Sequence, residues 1–410
     1  MRYILNFSAF FVQKIRHSGI GKERISRPII KIAIAAVALS VAVMLIAFAS
    51  GRGLQKAIDQ KTTGFSGDIT VRNFDQNASF EPEAISRDSS LEEFLVNNPG
   101  ILHFQTVTTK ACIARSESGF EGLLFKGVGP DYSWDFLTAR LVDGTLPKVD
   151  ENEVLLSQLV AHRLQVVPGD RLILSFVRNP PAPPRNFPVV ISGMYATGME
   201  DFDKQIILGD IGLIRSVNQW TDEEIGGYEI LLAPGVGRAR MADEINGNAR
   251  YDLIARTIRE NYPQIFEWLD LFDLNILIIN VIMALVAGVN MTTVLLILIM
   301  ERTATIGLLK SLGASHSVIR GIFIRLVLYL VGRGVIWGNA VAAALFAFQH
   351  FTGRITLDET TYYVREVPFD IHLVDFILVD VFTLLICALI MLGPSAYIGK
   401  IMPARALRID

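Results

Sequence analysis

The sequence predicts a membrane protein with four transmembrane α-helices and a large α+β domain inserted between the first and second of them. Three observations carry this reading. The 410-residue chain is 51% hydrophobic and only 19% charged, with a mean hydropathy of +0.40, which is too apolar for a soluble enzyme of this size. Apolar runs long enough to cross a bilayer occur once near the N-terminus and three times near the C-terminus. Between them lies a long acid-rich segment with strand-like alternation, while basic residues crowd the start of the first run.

The first run, Ile29 to Ala49, reads IIKIAIAAVALSVAVMLIAFA and covers roughly 30 Å, the thickness of a hydrocarbon core. It lies too far from the N-terminus for a simple signal peptide, lacks an A-x-A-like exit and is followed by Gly51, Arg52 and Gly53, so it reads as an uncleaved anchor. Arg2, Lys14, Arg16, Lys22, Arg24, Arg27 and Lys31 stand at its N-terminal side against one acid, Glu23, which places that side in the cytoplasm. Arg302, Lys310 and Arg320 in the second-to-third connection, and Lys400, Arg405 and Arg408 in the tail, agree. The expected division is a cytoplasmic segment 1–28, a first span 29–52, an external domain 53–268 and a second span 269–300. A cytoplasmic helix 301–315, a third span 316–348, a short external loop 349–371, a fourth span 372–398 and a cytoplasmic tail 399–410 follow.

Within 53–268, strand-like runs occur at Asp68 to Arg72, Arg171 to Val177, Val189 to Met194 and Gln205 to Leu208. Helix-like stretches, Leu91 to Asn97 and Gln158 to Leu164, interrupt them. Two arginines fall inside the third apolar run. Arg325 is within a turn of the cytoplasmic end and can snorkel, whereas Arg333, between Gly332 and Gly334, is deeper and packs into the bundle or reaches water.

The chain has no G-x-x-x-x-G-K-[ST] phosphate loop, no H-E-x-x-H zinc helix and no G-x-S-x-G nucleophile elbow. By itself it is expected neither to hydrolyse ATP nor to be an enzyme, so no catalytic residue and no cofactor are assigned. The six histidines are scattered, which argues against a metal site. The acidic pairs Glu92 and Glu93, and Glu223 and Glu224, read as solvated faces. A net charge of −3 gives no reason to expect nucleic acid as a partner. Cys112 and Cys387 fall in the external domain and a membrane helix, so they are not expected to pair.

Glu301 to Ser315, ERTATIGLLKSLGAS, resembles the cytoplasmic coupling helix of the FtsX/MacB-like permease superfamily, and the order of one span, an external domain and three spans matches. Thr361 to Pro368, TYYVREVP, is similar to the segment before the last span of the lipoprotein-releasing (Lol-type) permeases within it. The ending Pro403-Ala404-Arg405-Ala406-Leu407-Arg408 resembles the superfamily's tail, while Gly393-Pro394 departs from the Tyr-Pro pair of many relatives. In the external domain, Phe125 to Val128, Leu141 to Gly144, Val154 to Leu174 with its Pro168-Gly169-Asp170 turn, and Phe187 to Leu208 resemble the MacB-like periplasmic core.

The resemblance implies a type VII ABC transporter permease of the bacterial inner membrane, with its large domain in the periplasm. Two permease chains, this one with itself or a paralogue, would pair with a separate ABC ATPase dimer that binds ATP and Mg. The machine would extract a lipoprotein from the outer leaflet and pass it to a periplasmic carrier. Coupling would fall to Glu301, Arg302, Ile306, Leu309 and Lys310, with Ile306, Leu309 and Leu312 as a docking stripe at helical spacing. The lipid path would be lined by Met44, Leu45, Phe48, Phe272 and Ile276. Val177 to Asn186, stiffened by Pro180, Pro181, Pro183 and Pro184 and flanked by Arg178 and Arg185, corresponds to a carrier-binding hook in one permease type. Without a partner the same loop is a rigid hairpin tip. Two rival functions remain: an efflux or mechanotransmission permease for a peptide, drug or envelope regulator, and a membrane-anchored sensor or adhesion module.

Overall fold

The computed structural model describes residues 26–75, 81–148, 151–177 and 183–393. It divides into a helical unit, made of residues up to Gln55 with Leu269–Thr356 and the chain from Glu366, and an external unit, Lys56–Trp268 with Leu357–Arg365.

Among the described residues four long helices dominate: Ser26–Ser66, Pro263–Glu301, His316–Thr352 and Leu373–Ile390. Three of them are long and apolar enough to cross a membrane: Pro28–Ser66, Pro263–Glu301 and Leu373–Ile390. The first does not stop near residue 52, where hydropathy falls. Beyond the two glycines, Leu54, Ile58, Thr62 and Phe65 are buried at helical spacing among polar neighbours, an amphipathic continuation that carries the helix to Ser66. Pro263, preset for a first helical turn, opens the second long helix. In the helical unit Val37, Val41, Met44, Leu45, Met291 and Leu295 form a core with Phe323, Val327 and Val331.

The external unit is α+β. Its strands are β1 (Ile69–Asn73), β2 (Ile85–Ser86), β3 (Ile101–Arg115), β4 (Phe120–Val128), β5 (Leu141–Gly144) and β6 (Glu153–Ser157). They continue with β7 (Arg171–Phe176), β8 (Arg185–Tyr195), β9 (Ile206–Asp210), β10 (Glu224–Ile225), β11 (Gly227–Leu232) and β12 (Leu253–Thr257). The pairings β3 with β4, β4 with β9, β9 with β6, β6 with β8, β8 with β7 and β7 with β3 close a ring of six strands. Alternation fills its interior: Leu172, Leu174 and Phe176 point in, against Phe125, Val154, Leu156 and Ile191. The other half of the long β3 pairs β11, which continues to β1 and β12. Helices Ser89–Asn97 and Arg238–Asn248 cover this second region through Leu91, Leu95, Met241 and Ile245. The helix ends are specified locally. Asp88 accepts from the Ser90 and Leu91 amides, and Ser157 caps Gln158–Leu164.

The third long helix runs into the connection 349–371, as far as Thr352. Leu357–Arg365 folds with the external unit, where Tyr363 Oη donates to Asp201 Oδ2 at 3.1 Å and Lys61 Nζ donates to the Tyr363 carbonyl at 2.7 Å. Both cysteines are free and buried.

Candidate functional site

The segment after the second long helix forms a separate short helix, Thr303–Ser311. Arg302, with φ −102° and ψ 20°, breaks the preceding helix, and the Thr303 hydroxyl donates to the carbonyls of Ile299 and Met300. At the other end Gly313 takes φ +88°, and the Gly313 and Ala314 amides donate to the carbonyls of Lys310 and Leu309. The docking stripe expected from the spacing divides here. Ile306 is 1% exposed and lies in the core with Leu298, Ile299 and Ile319, and Leu309 packs against the same core. These two anchor the helix rather than present it. The outward apolar residues are Leu308 and Leu312, 52% and 75% exposed, with Glu301 exposed and Arg302 and Lys310 half-buried.

Met44 and Leu45 of the expected lipid path are fully buried and pack in the helical core. Phe48, Phe272 and Ile276 are half-buried. The first and second long helices approach closely at Gly51, where a Cβ would lie 2.0 Å from Ile276 Cδ1. Arg52 lies 5.4 Å from the Phe48 ring centroid and donates from one guanidinium nitrogen to both oxygens of buried Asp375, 2.9 Å each. Arg325 and Arg333 are both exposed on the third long helix, and the Arg333 guanidinium lies 5.6 Å from the Tyr329 ring. Arg333 therefore does not pack into the bundle of its own chain.

In the external unit, β7 and β8 pair antiparallel up to Phe176↔Arg185, the residues on either side of the proline-rich segment. Pro183 and Pro184 are exposed; Arg178, Pro180 and Pro181 lie outside the described residues. Arg185 is already engaged: its guanidinium donates to the Ser216 carbonyl and lies 5.0 Å from the Phe187 ring. It ties the start of β8 to the Ser216 carbonyl of its own domain.

The main polar clusters of this unit were not singled out from the sequence. Lys126 and Glu229 form a buried ion pair at 2.7 Å, with Lys126 also donating to the Phe65 carbonyl and Gln105 to Glu229. Burial pushes the Lys126 ammonium below its ordinary value, and Glu229 partly restores it. Arg238 bridges Asp59 at 2.6 Å and Asp68 at 2.7 Å. Asp203 accepts from the Thr197 hydroxyl and from the Thr197 and Gly198 amides. The signal for Lys126 was present: it is the one charge in a strand run, Leu123 to Val128, whose neighbours are apolar or Gly. Glu92, read as a solvated acid, instead accepts from Arg87 and from the Tyr228 hydroxyl, and Glu224 accepts from Thr221.

Comparison with known families places residues 32–248 in the MacB-like periplasmic core domain and residues 277–403 in the FtsX-like permease C-terminal domain. Among curated proteins the chain is similar to the lipoprotein-releasing system transmembrane protein LolC of Neisseria meningitidis serogroup B, at 22% identity over 92% of this chain and 94% of that one. It is also similar to the lipoprotein-releasing system transmembrane protein LolE of Haemophilus influenzae, at 22% identity over 97% of this chain and 98% of that one. Among solved structures, the periplasmic region of MacB from Actinobacillus actinomycetemcomitans aligns with 52% of this chain and 98% of its own, at 15% identity and a TM-score of 0.35.

Proposed function

Since the chain belongs to the FtsX-like permeases that carry a MacB-like periplasmic core domain, we propose that it is the permease subunit of an ATP-driven transporter that releases lipoproteins from the inner membrane. The observation that carries this reading is the pair of curated lipoprotein-releasing proteins that match it over nearly their whole lengths. The proposed partners are a separate ABC ATPase dimer binding ATP and Mg, a second permease chain, the lipoprotein with its surrounding lipid, and a periplasmic carrier.

Four crossings of the inner membrane fit this role. Three helices have the required length and composition. A crossing by His316–Thr352 is supported by the residues after it, Leu357–Arg365, which fold with the external unit. The Thr303–Ser311 helix would then lie at the cytoplasmic face. Held from inside by Ile306 and Leu309, it would move with the ends of the second and third long helices when an ATPase grips Leu308 and Leu312. That movement is the rigid-body kind that converts ATPase closure into displacement of spans.

The test is co-purification of the ATPase with a Leu308→Asp, Leu312→Asp variant. Charges on an outward docking patch should lower the ATPase yield at least tenfold and stop lipoprotein release, while the chain still inserts. Wild-type yield with continuing release would remove the coupling role from this helix.

A further inference from the structure

The third and fourth long helices carry a polar pair within their apolar length. Asn339 Nδ2 donates to Asp380 Oδ2 at 2.8 Å, and Asp380 stands near the middle of Leu373–Ile390. The other oxygen of each side chain, Asn339 Oδ1 and Asp380 Oδ1, is buried and has no hydrogen-bond partner among the described residues. Both atoms are covered by this chain itself, although each residue as a whole is half-buried.

As a carboxylate, half-buried Asp380 would place a full negative charge between two apolar helices with one neutral donor, and both remaining oxygens would be acceptors only. Among the described residues no cation pairs with it. Leu373–Ile390 contains no basic residue, and its other acid, Asp375, takes Arg52. Arg333, the basic residue nearest to Asn339 in sequence, lies against the Tyr329 ring. A single proton removes both defects. Carried on Asp380 Oδ1, it would take as its acceptor Asn339 Oδ1, of the same amide whose nitrogen already binds the other carboxyl oxygen.

We propose that Asp380 is held as a neutral carboxylic acid that joins Asn339 through paired hydrogen bonds, a proton-holding clasp between the third and fourth long helices. The inference rests on the reading of these helices as membrane-spanning. It makes the two helices a fixed pair, moved together by whatever displaces either.

Infrared spectroscopy of the full chain in phospholipid nanodiscs at neutral pH tests it. The wild-type spectrum should contain a protonated-carboxyl C=O stretch that is lost in Asp380→Asn. That variant replaces the acid–amide pair by an amide–amide pair, so yield and thermal midpoint should be kept, whereas Asp380→Leu and Asn339→Leu should lower both. Absence of the protonated-carboxyl band from the wild type, or its persistence in Asp380→Asn, overturns the clasp. So does an Asp380→Asn variant as damaged as Asp380→Leu. These measurements read one carboxyl and not transport, so a failure of the lipoprotein-releasing reading in co-purification leaves them standing.

Discussion

Lys126 and Glu229 show how much one residue can hold in place. Both side chains are 4% exposed, so the pair has given up its hydration and is worth little over an apolar pair of the same shape. Removing one partner is different. Lys126→Met leaves Glu229 and the Phe65 carbonyl without their ammonium donor, and should cost about 3–5 kcal/mol, while Lys126→Met combined with Glu229→Gln should cost clearly less. Thermal unfolding of the purified variants measures the difference, and equal losses would show that the two charges do not act as a pair. Asp203 predicts a pH effect. Burial raises its carboxyl above the ordinary value, against the bonds from Thr197 and Gly198. A raised group binds its proton more tightly folded than unfolded, so its stabilising share is full below the unfolded value and is lost as pH rises through the folded value. The stability difference between wild type and Asp203→Asn should therefore shrink as pH rises from about 4, then flatten; a constant difference would deny the shift. Single residues were also where sequence reasoning was least able to see. The spacing of Ile306, Leu309 and Leu312 marks a helical stripe, but a stripe does not say whether it faces a partner or the chain's own core. The contact of Arg185 with the Ser216 carbonyl leaves no trace in the sequence, because the two residues are distant in the chain.

At the scale of elements, the apolar runs fall within long helices, three of which have the length and composition to cross a membrane. They did not fix where the first helix ends. Hydropathy drops at Gly51-Arg52-Gly53, yet both glycines are inside the helix, and each is there because something passes close by. At Gly51 that something is the flexible end of Ile276; at Gly53 a Cβ would lie 2.0 Å from the Pro368 carbonyl oxygen, and the nearby Asp370 amide donates to the Ala49 carbonyl. A side chain tip can move and a backbone carbonyl cannot. Gly51→Ala should thus be nearly neutral, helped by higher helix propensity, whereas Gly53→Ala should cost about 3 kcal/mol through overpacking. Thermal midpoints of the two variants in detergent decide it, and equal midpoints would mean that the Pro368 segment yields. The strands followed their alternating or apolar runs, Arg171–Phe176 being alternating and Ile206–Asp210 buried throughout most of its length, and the helix Gln158–Leu164 starts at its Ser157 cap. Closure of six strands into a ring was not legible, since β3 with β7 and β4 with β9 pair residues far apart in the chain.

For the whole molecule the open quantity is the side of the membrane on which each segment stands, and the chain supplies its own silent background for measuring it. Its two cysteines are 3% and 0% exposed, and burial pushes the Cys112 thiol up to about 12, so neither offers an accessible thiolate to a reagent at neutral pH. A cysteine introduced at an exposed site reports alone. Three sites separate the alternatives: Tyr251, 97% exposed in the external unit; Leu312, 75% exposed at the end of the short helix; and exposed Arg354, just past the third long helix. If His316–Thr352 crosses the membrane, Arg354 returns to the side of Tyr251, as the folding of Leu357–Arg365 with the external unit requires. If it does not, Arg354 stays with Leu312, and the helix must lie along a surface despite the buried apolar row Ile319, Phe323, Val327 and Leu330. An impermeant thiol reagent applied to cells with a permeabilised outer membrane should label Tyr251→Cys and Arg354→Cys, and should reach Leu312→Cys only after the inner membrane is broken. Arg354→Cys protected together with Leu312→Cys would remove one crossing, and Tyr251→Cys protected would invert the chain.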